Sequence, residues 1–113
     1  MARLRKKHLP HRIDITRLTG EGAEGDTWAA PVADRPAYVE GKAARVIDRR
    51  STSPTAGQEI VTSAFIVLLL DDDVLPRSTV TVFKGTPRER TAEVISSAFF
   101  DYPRTPSHVE LYI

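Results

Sequence analysis

The 113 residues contain no cysteine. That excludes a disulfide framework and any thiolate metal site. No stretch approaches the ~20 apolar residues that a membrane-spanning helix needs; the longest apolar run is Ala64 to Leu70. The N-terminus, MARLRKKHLPHR, is basic but has no apolar segment behind it, so it does not read as a secretory signal. There is no Gly-X-Y period and no internal repeat, which excludes collagen and repeat architectures. With 41% hydrophobic and 27% charged residues, the chain is ordinary globular material of one domain's length.

The formal net charge of +1 hides an asymmetry. Of the 16 basic residues, Arg3, Arg5, Lys6, Lys7 and Arg12 fall within the first 12 positions, where there is no acid. The remainder carries 11 basic and 15 acidic residues. A flexible basic arm (1–11) therefore precedes a mildly acidic body (12–113). The arm reads either as a contact to phosphates or an acidic protein surface, or as a solvated terminus.

Eight prolines cut the chain into pieces, few of them long enough for a good helix. Between them lie runs rich in Val, Ile, Thr and Phe, the pattern of an all-β barrel or sandwich. Strands are predicted over Arg12–Leu18, Ala37–Arg50, Gln58–Leu70, Thr79–Lys84, Thr91–Phe100 and His108–Ile113, with period-two alternation clearest at Ile13/Ile15 and Val109/Leu111/Ile113. Within the second, Gly41 marks a bulge; a helix over Lys42–Arg49 competes but has no cap. The segments 19–26 (TGEGAEGD), 71–78 (DDDVLPRS), 85–90 (GTPRER) and 101–107 read as loops. Ser51–Gly57 (STSPTAG) reads as the tip of a long hairpin. Strands of a dozen residues on so small a domain imply that this hairpin projects. The apolar end of Gln58–Leu70 implies that both faces are buried, or that one meets another subunit.

No chemistry-bearing motif is present. Asp71, Asp72 and Asp73 offer oxygens for a hard cation, yet lack the alternating ligands, glycine and distal Glu of a calcium loop, and read as a solubilising acidic turn. His8, His11 and His108 lack zinc spacing, and no GxSxG elbow accompanies them. KGTP at 84–87 lacks the remainder of a phosphate loop and reads as a turn. Phe65, Phe83, Phe99 and Phe100 lie in apolar runs and read as core, not as stacking platforms for nucleic acid. Trp28 and Tyr38 read as the cover of one end of a barrel, with Trp28 alternatively a partner anchor. No catalytic residue, metal ligand or cofactor is assigned.

The order of features is the most specific signal. RIDITRLTG leads to a Gly- and Asp-containing loop ending in Trp28. PAYVEGKAARVIDRR, a small variable loop and GQEIVTSAFIVLLL follow. A turn with Pro76, then STVTVF, and a last strand HVELYI complete it. From about Arg12 to Ile113 this resembles the head-closure, or stopper, proteins of long-tailed phages. Two features depart from the pattern: the turn Leu75-Pro76-Arg77-Ser78 lacks glycine, and 84–91 is more charged. The resemblance implies a small β-barrel of about six strands, without enzyme activity, assembling as a homo-oligomeric ring of six or twelve subunits. It implies a virion protein of the neck, assembled in the host cytoplasm. Portal and adaptor proteins would lie above, a tail terminator or tail tube protein below, and packaged DNA within the channel, with no membrane partner. On this reading Arg3, Arg5, Lys6, Lys7 and Trp28 contact a neighbouring layer. Arg49, Arg50 and the loop Ser51, Thr52, Ser53, Pro54, Thr55, Ala56 and Gly57 face the lumen or an adjacent subunit. The rival readings are a nucleic-acid-binding barrel, favoured by the arm and strand count, and a tail terminator, which requires helices against a sheet.

Overall fold

The computed structural model describes residues 9–22, 25–101 and 107–113. Nine strands form: β1 (His11–Thr16), β2 (Leu18–Gly22), β3 (Gly25–Trp28), β4 (Val32–Ile47), β5 (Glu59–Leu68), β6 (Thr79–Val82), β7 (Arg90–Glu93), β8 (Ser96–Phe100) and β9 (His108–Tyr112). A 3-10 turn covers Leu70–Asp72. The expected all-β class is correct, and in place of the competing helix over 42–49 the chain continues as β4 to Ile47. Seven strands make one sheet in the order β7-β6-β1-β4-β5-β9-β8, and β2 pairs with β3 in a separate ribbon. Every pairing is antiparallel.

The two ends of the sheet are consecutive in sequence. β7 pairs with β6 and β8 with β9, and only Val94 and Ile95 separate them. At this junction the Val94 N–H donates to Ser78 O (2.8 Å) and the Ile95 N–H donates to Tyr112 O (2.8 Å). The segment expected as one strand, Thr91–Phe100, thus bends and serves both edges. No ladder joins β7 to β8 among the described residues, so the sheet is strongly curled and is not closed by its own hydrogen bonds.

Curling brings the inner faces together. Alternate residues Ile13 and Ile15, Ala37 and Val39, Ala64, Ile66 and Leu68, Val80 and Val82, and Val109 and Leu111 are all buried, joined by Val74, Val94 and Ile113. Period two places each set on one face of its strand. Burying each Val, Leu or Ile side chain stabilises the fold by about 1.5–3 kcal/mol. The core is therefore aliphatic, and here the sequence reading needs correction. Phe83 packs half-buried against the core, but Phe65 and Phe100 are only half-buried outside it and Phe99 is 55% exposed. Trp28 and Tyr38 also lie outside the core.

Other corrections follow from local geometry. Segment 19–26 is largely the β2–β3 ribbon, where Gly20 opposes Thr27 so closely that a Cβ would lie 2.8 Å from the Thr27 hydroxyl. The bulge expected at Gly41 is present: the β4–β5 register shifts between Gly41 and Ala44. A second bulge lies in β4 opposite β1, where Asp34 takes a left-handed φ of 57° and its N–H donates to Asp14 Oδ1 (3.1 Å). The body also begins before Arg12, because Leu9 is buried and His11 pairs with Ala37. Asp72 is not a solvating residue. It is buried and takes a two-pronged contact from Arg35 at 2.9–3.0 Å.

Candidate functional site

The β4–β5 tip is built on one carboxylate. Asp48 follows the last residue of β4 and is 1% exposed. Its backbone closes the hairpin: the Asp48 N–H donates to Gln58 O and its carbonyl accepts from the Gly57 N–H, both at 2.9 Å. Its side chain organises the loop. Oδ1 accepts from the Arg50 N–H and Nε, each at 3.0 Å. Oδ2 accepts from Arg50 Nη2 (3.0 Å) and the Thr55 hydroxyl (2.6 Å). Ser53 Oγ accepts from Arg50 Nη2 and the Thr55 N–H, each at 3.2 Å. An Asp whose carboxylate captures the amide two residues on is a local turn device, and Gly57 supplies the left-handed φ (81°) that returns the chain to β5. Burial would raise the Asp48 pKa, but the Arg50 guanidinium and the two hydroxyls outweigh it and hold the carboxyl well below the usual range.

The same arginine ties the tip to the body. Arg50 Nη1 reaches Glu93 Oε1 at 3.0 Å, and the Arg49 N–H donates to Ile95 O at 3.0 Å. The hairpin expected to project is therefore fastened at its tip to the β7–β8 junction. Arg49, Ser51, Thr52, Pro54, Ala56 and Gly57 remain on the surface, while Ser53 and Thr55 turn inward. Of the residues expected to face a lumen or neighbour, Arg50, Ser53 and Thr55 are engaged within their own chain, and the exposed ones are presented on a fixed frame.

Trp28 ends β3 opposite Leu18 and is 44% exposed. The β2–β3 ribbon is held from a distance. Arg77 Nη2 contacts Asp26 Oδ2, the Leu18 N–H donates to Ser78 Oγ (3.0 Å), and Arg17 Nε donates to Asp73 O (3.1 Å). Arg77 does this from a left-handed φ of 75°. Leu75, 63% exposed, lines a groove of about 200 Å³ together with Pro76, Leu18, Thr19 and Gly20. Arg3, Arg5, Lys6 and Lys7 lie outside the described residues.

A second cleft, about 260 Å³, is lined by His11, Arg12, Asp34, Phe83, Lys84 and Thr86. His11 Nδ1 accepts from the Val39 N–H (3.0 Å), which places the proton of the neutral ring on Nε2. Lys84 pairs with Asp14 at 2.9 Å, and that hydrogen bond, ahead of the Asp34 amide, lowers the Asp14 pKa. The residues Lys84–Pro87 form the expected turn, in which Thr86 Oγ1 donates to Phe83 O and Gly85 has φ 78°. Among the described residues no group of three or more His, Asp or Glu is gathered for a metal ion.

The residues that sequence reasoning missed are Asp48, Asp26, Arg77 and Leu75. Asp48 had a local signal, an Asp before a run of small polar residues. The ion pair of Asp26 with Arg77, 51 positions apart, had none. No family model, curated protein or solved structure matches the chain.

Proposed function

We propose that this chain is a structural component of a long-tailed phage virion, the stopper between the portal–adaptor stack and the tail. In this reading the curled sheet is a small barrel, its seam made by the bent segment Arg90–Phe100. Copies form a ring around the DNA channel, bind the connector of the filled head, retain the DNA and offer the tail its docking surface. The observation that carries the reading is the clamped tip. A buried carboxylate, an arginine and two hydroxyls fix the loop Ser51–Gly57 to the body. In the resembled family the element at this place borders the channel or a neighbour, and a fixed loop loses little entropy when it meets either. The exposed Trp28 adds an anchor of the kind that dominates protein interfaces.

The reading is tested by complementation. Purified chain is added to a lysate of the phage carrying a stop codon in this gene, and plaque-forming particles are counted. A rise in titre on addition of wild-type chain supports a joining role. Charge reversal at Arg3, Arg5, Lys6 and Lys7 should leave the melting curve intact and abolish that rise. No rise with wild-type chain contradicts the proposal, and salt-sensitive binding of short DNA would then favour a nucleic-acid-binding protein.

A further inference from the structure

We infer that the β4–β5 hairpin is a releasable strap that holds the curled sheet shut, so that the sheet opens at β7 without losing any of its ladders. The inference stands independently of the ring reading above. β7 has a ladder on one side only: its four residues pair with Thr79–Val82 of β6, and no ladder joins its other side among the described residues. At both ends of β7 a side chain makes the connection instead. Arg90 Nη1 donates to Ser63 Oγ of β5 (2.6 Å), and Glu93 Oε1 accepts from Arg50 Nη1 of the tip (3.0 Å). Just past β7, Ile95 O accepts from the Arg49 N–H (3.0 Å). β5 stands four places from β7 in the sheet order, so these bonds run from the middle of the sheet to the place where its two ends meet.

The two side-chain ties give way before the parts they join. Arg50 divides its donors: Nε and Nη2 serve Asp48, whose side chain is 0% exposed, while Nη1 serves Glu93, whose side chain is 44% exposed. Losing Glu93 therefore leaves the loop of the tip assembled. Arg90 is exposed and its partner is a neutral hydroxyl, without the second charge that strengthens a bond to a carboxylate. Half-exposed ties of this kind are weak. The flanking ladders are firmer, with four pairs between β6 and β7 and five between β8 and β9. The bend between them is held to the β6 side by two backbone bonds, Val94 N–H to Ser78 O and Arg77 N–H to Val94 O. A single backbone bond, Ile95 N–H to Tyr112 O, holds it to β9. Lifting β7 thus breaks the strap and the bond at Ile95, uncovers the buried Val94 and leaves both ladders whole. Partial opening of this kind is the ordinary behaviour of a region tied by few contacts.

The absence of cysteine makes the test direct, because one buried thiol reports each opening. Full-length Val94→Cys carries the probe at the bend, and Ile66→Cys, equally buried on the central strand β5, reports global unfolding. Both are labelled with a thiol reagent at low concentrations of guanidinium chloride. Val94→Cys should label about tenfold faster than Ile66→Cys, with a much shallower dependence on denaturant, since a local opening exposes little surface. Adding Arg90→Ala and Glu93→Gln to the Val94→Cys chain should speed its labelling about tenfold, and about threefold for either alone. Ser63→Asp, which gives Arg90 a carboxylate in place of the hydroxyl, should slow it. Equal rates and equal denaturant slopes at the two thiols overturn the inference, because the bend then opens only when the whole sheet unfolds. Labelling at Val94→Cys that ignores both the double variant and Ser63→Asp also overturns it, because the opening then does not cross these ties. If Val94→Cys fails to fold, amide exchange at Arg49 and Ile95 against Ile66 makes the same comparison in the cysteine-free chain.

Discussion

The β4–β5 tip and the β2–β3 ribbon are both small, polar, glycine-containing segments, yet they are held in opposite ways. The tip is organised from within: Asp48, Arg50, Ser53 and Thr55 bond one another across eight positions, and Glu93 and Ile95 tie it to the body. The ribbon has just one side-chain hydrogen bond of its own among the described residues, between the Thr19 and Thr27 hydroxyls (3.1 Å), and is docked by Asp73, Arg77 and Ser78. A surface that must keep one shape against a channel or neighbour gains from internal anchors. A surface tied by distant residues moves with the element that ties it, here the turn carrying Leu75.

The largest expected effect breaks the first half of that contrast. Asp48→Ala removes the acceptor of four hydrogen bonds and leaves a partly buried guanidinium under-paired, at a cost of about 3 kcal/mol. Denaturant unfolding measures the loss. Hydrogen exchange should accelerate over 49–57 and not over 18–28; equal acceleration in both would mean the regions are one cooperative unit.

Acid sharpens the same point. The folded-state pKa of Asp48 lies below its unfolded value, so its contribution is complete above the ordinary Asp pKa near ~3.9 and is lost as pH falls below it. The stability gap between wild type and Asp48→Asn should narrow by about 1 kcal/mol between pH 7 and pH 3. A gap that stays constant or widens would show that the charge is not what holds the loop.

Arg77 probes the other region. Arg77→Ala and Arg77→Gly both lose the Asp26 contact, but only glycine relieves the left-handed backbone. Arg77→Gly should therefore be the more stable of the two by about 1 kcal/mol. Both should speed exchange over 18–28 and spare 49–57. The smallest effect is expected on the open face of the β4–β5 hairpin. Arg45 and Glu59 pair at 3.5 Å with both side chains mostly exposed, and Arg45→Ala should change stability by no more than about 0.5 kcal/mol.

The contrast also explains what could be read in the sequence. Strands whose apolar residues alternate, such as Ile13/Ile15 and Val109/Leu111/Ile113, were legible because burial on one face imposes period two. Gly41 was legible as a bulge because a glycine inside a strand marks one. The β2–β3 ribbon was not, since TGEGAEGD has no apolar alternation and its ties lie more than 50 positions away. The bend at Val94–Ile95 was hidden inside a run of strand-forming residues, because which edge each half serves is a property of the curled sheet. The aromatics misled for a related reason. Their apolar runs belong to strands whose inner positions are filled by Val, Ile, Leu and Ala, leaving Phe65 beside Tyr112 and Phe100 stacked on His108 away from the core. Of the candidate site, the tip at 51–57 was legible as a turn, and its clamp was in reach of an Asx reading. The groove along Leu18–Gly20 depends on Leu75 and Pro76 arriving from another element.

Electron microscopy of lysates from the phage carrying a stop codon in this gene tests the central claim most directly. Loss of a stopper should leave separate tails of normal length beside heads that have lost their DNA. Overlong tails would identify a tail terminator instead, and normal infectious particles would contradict any structural role in the virion.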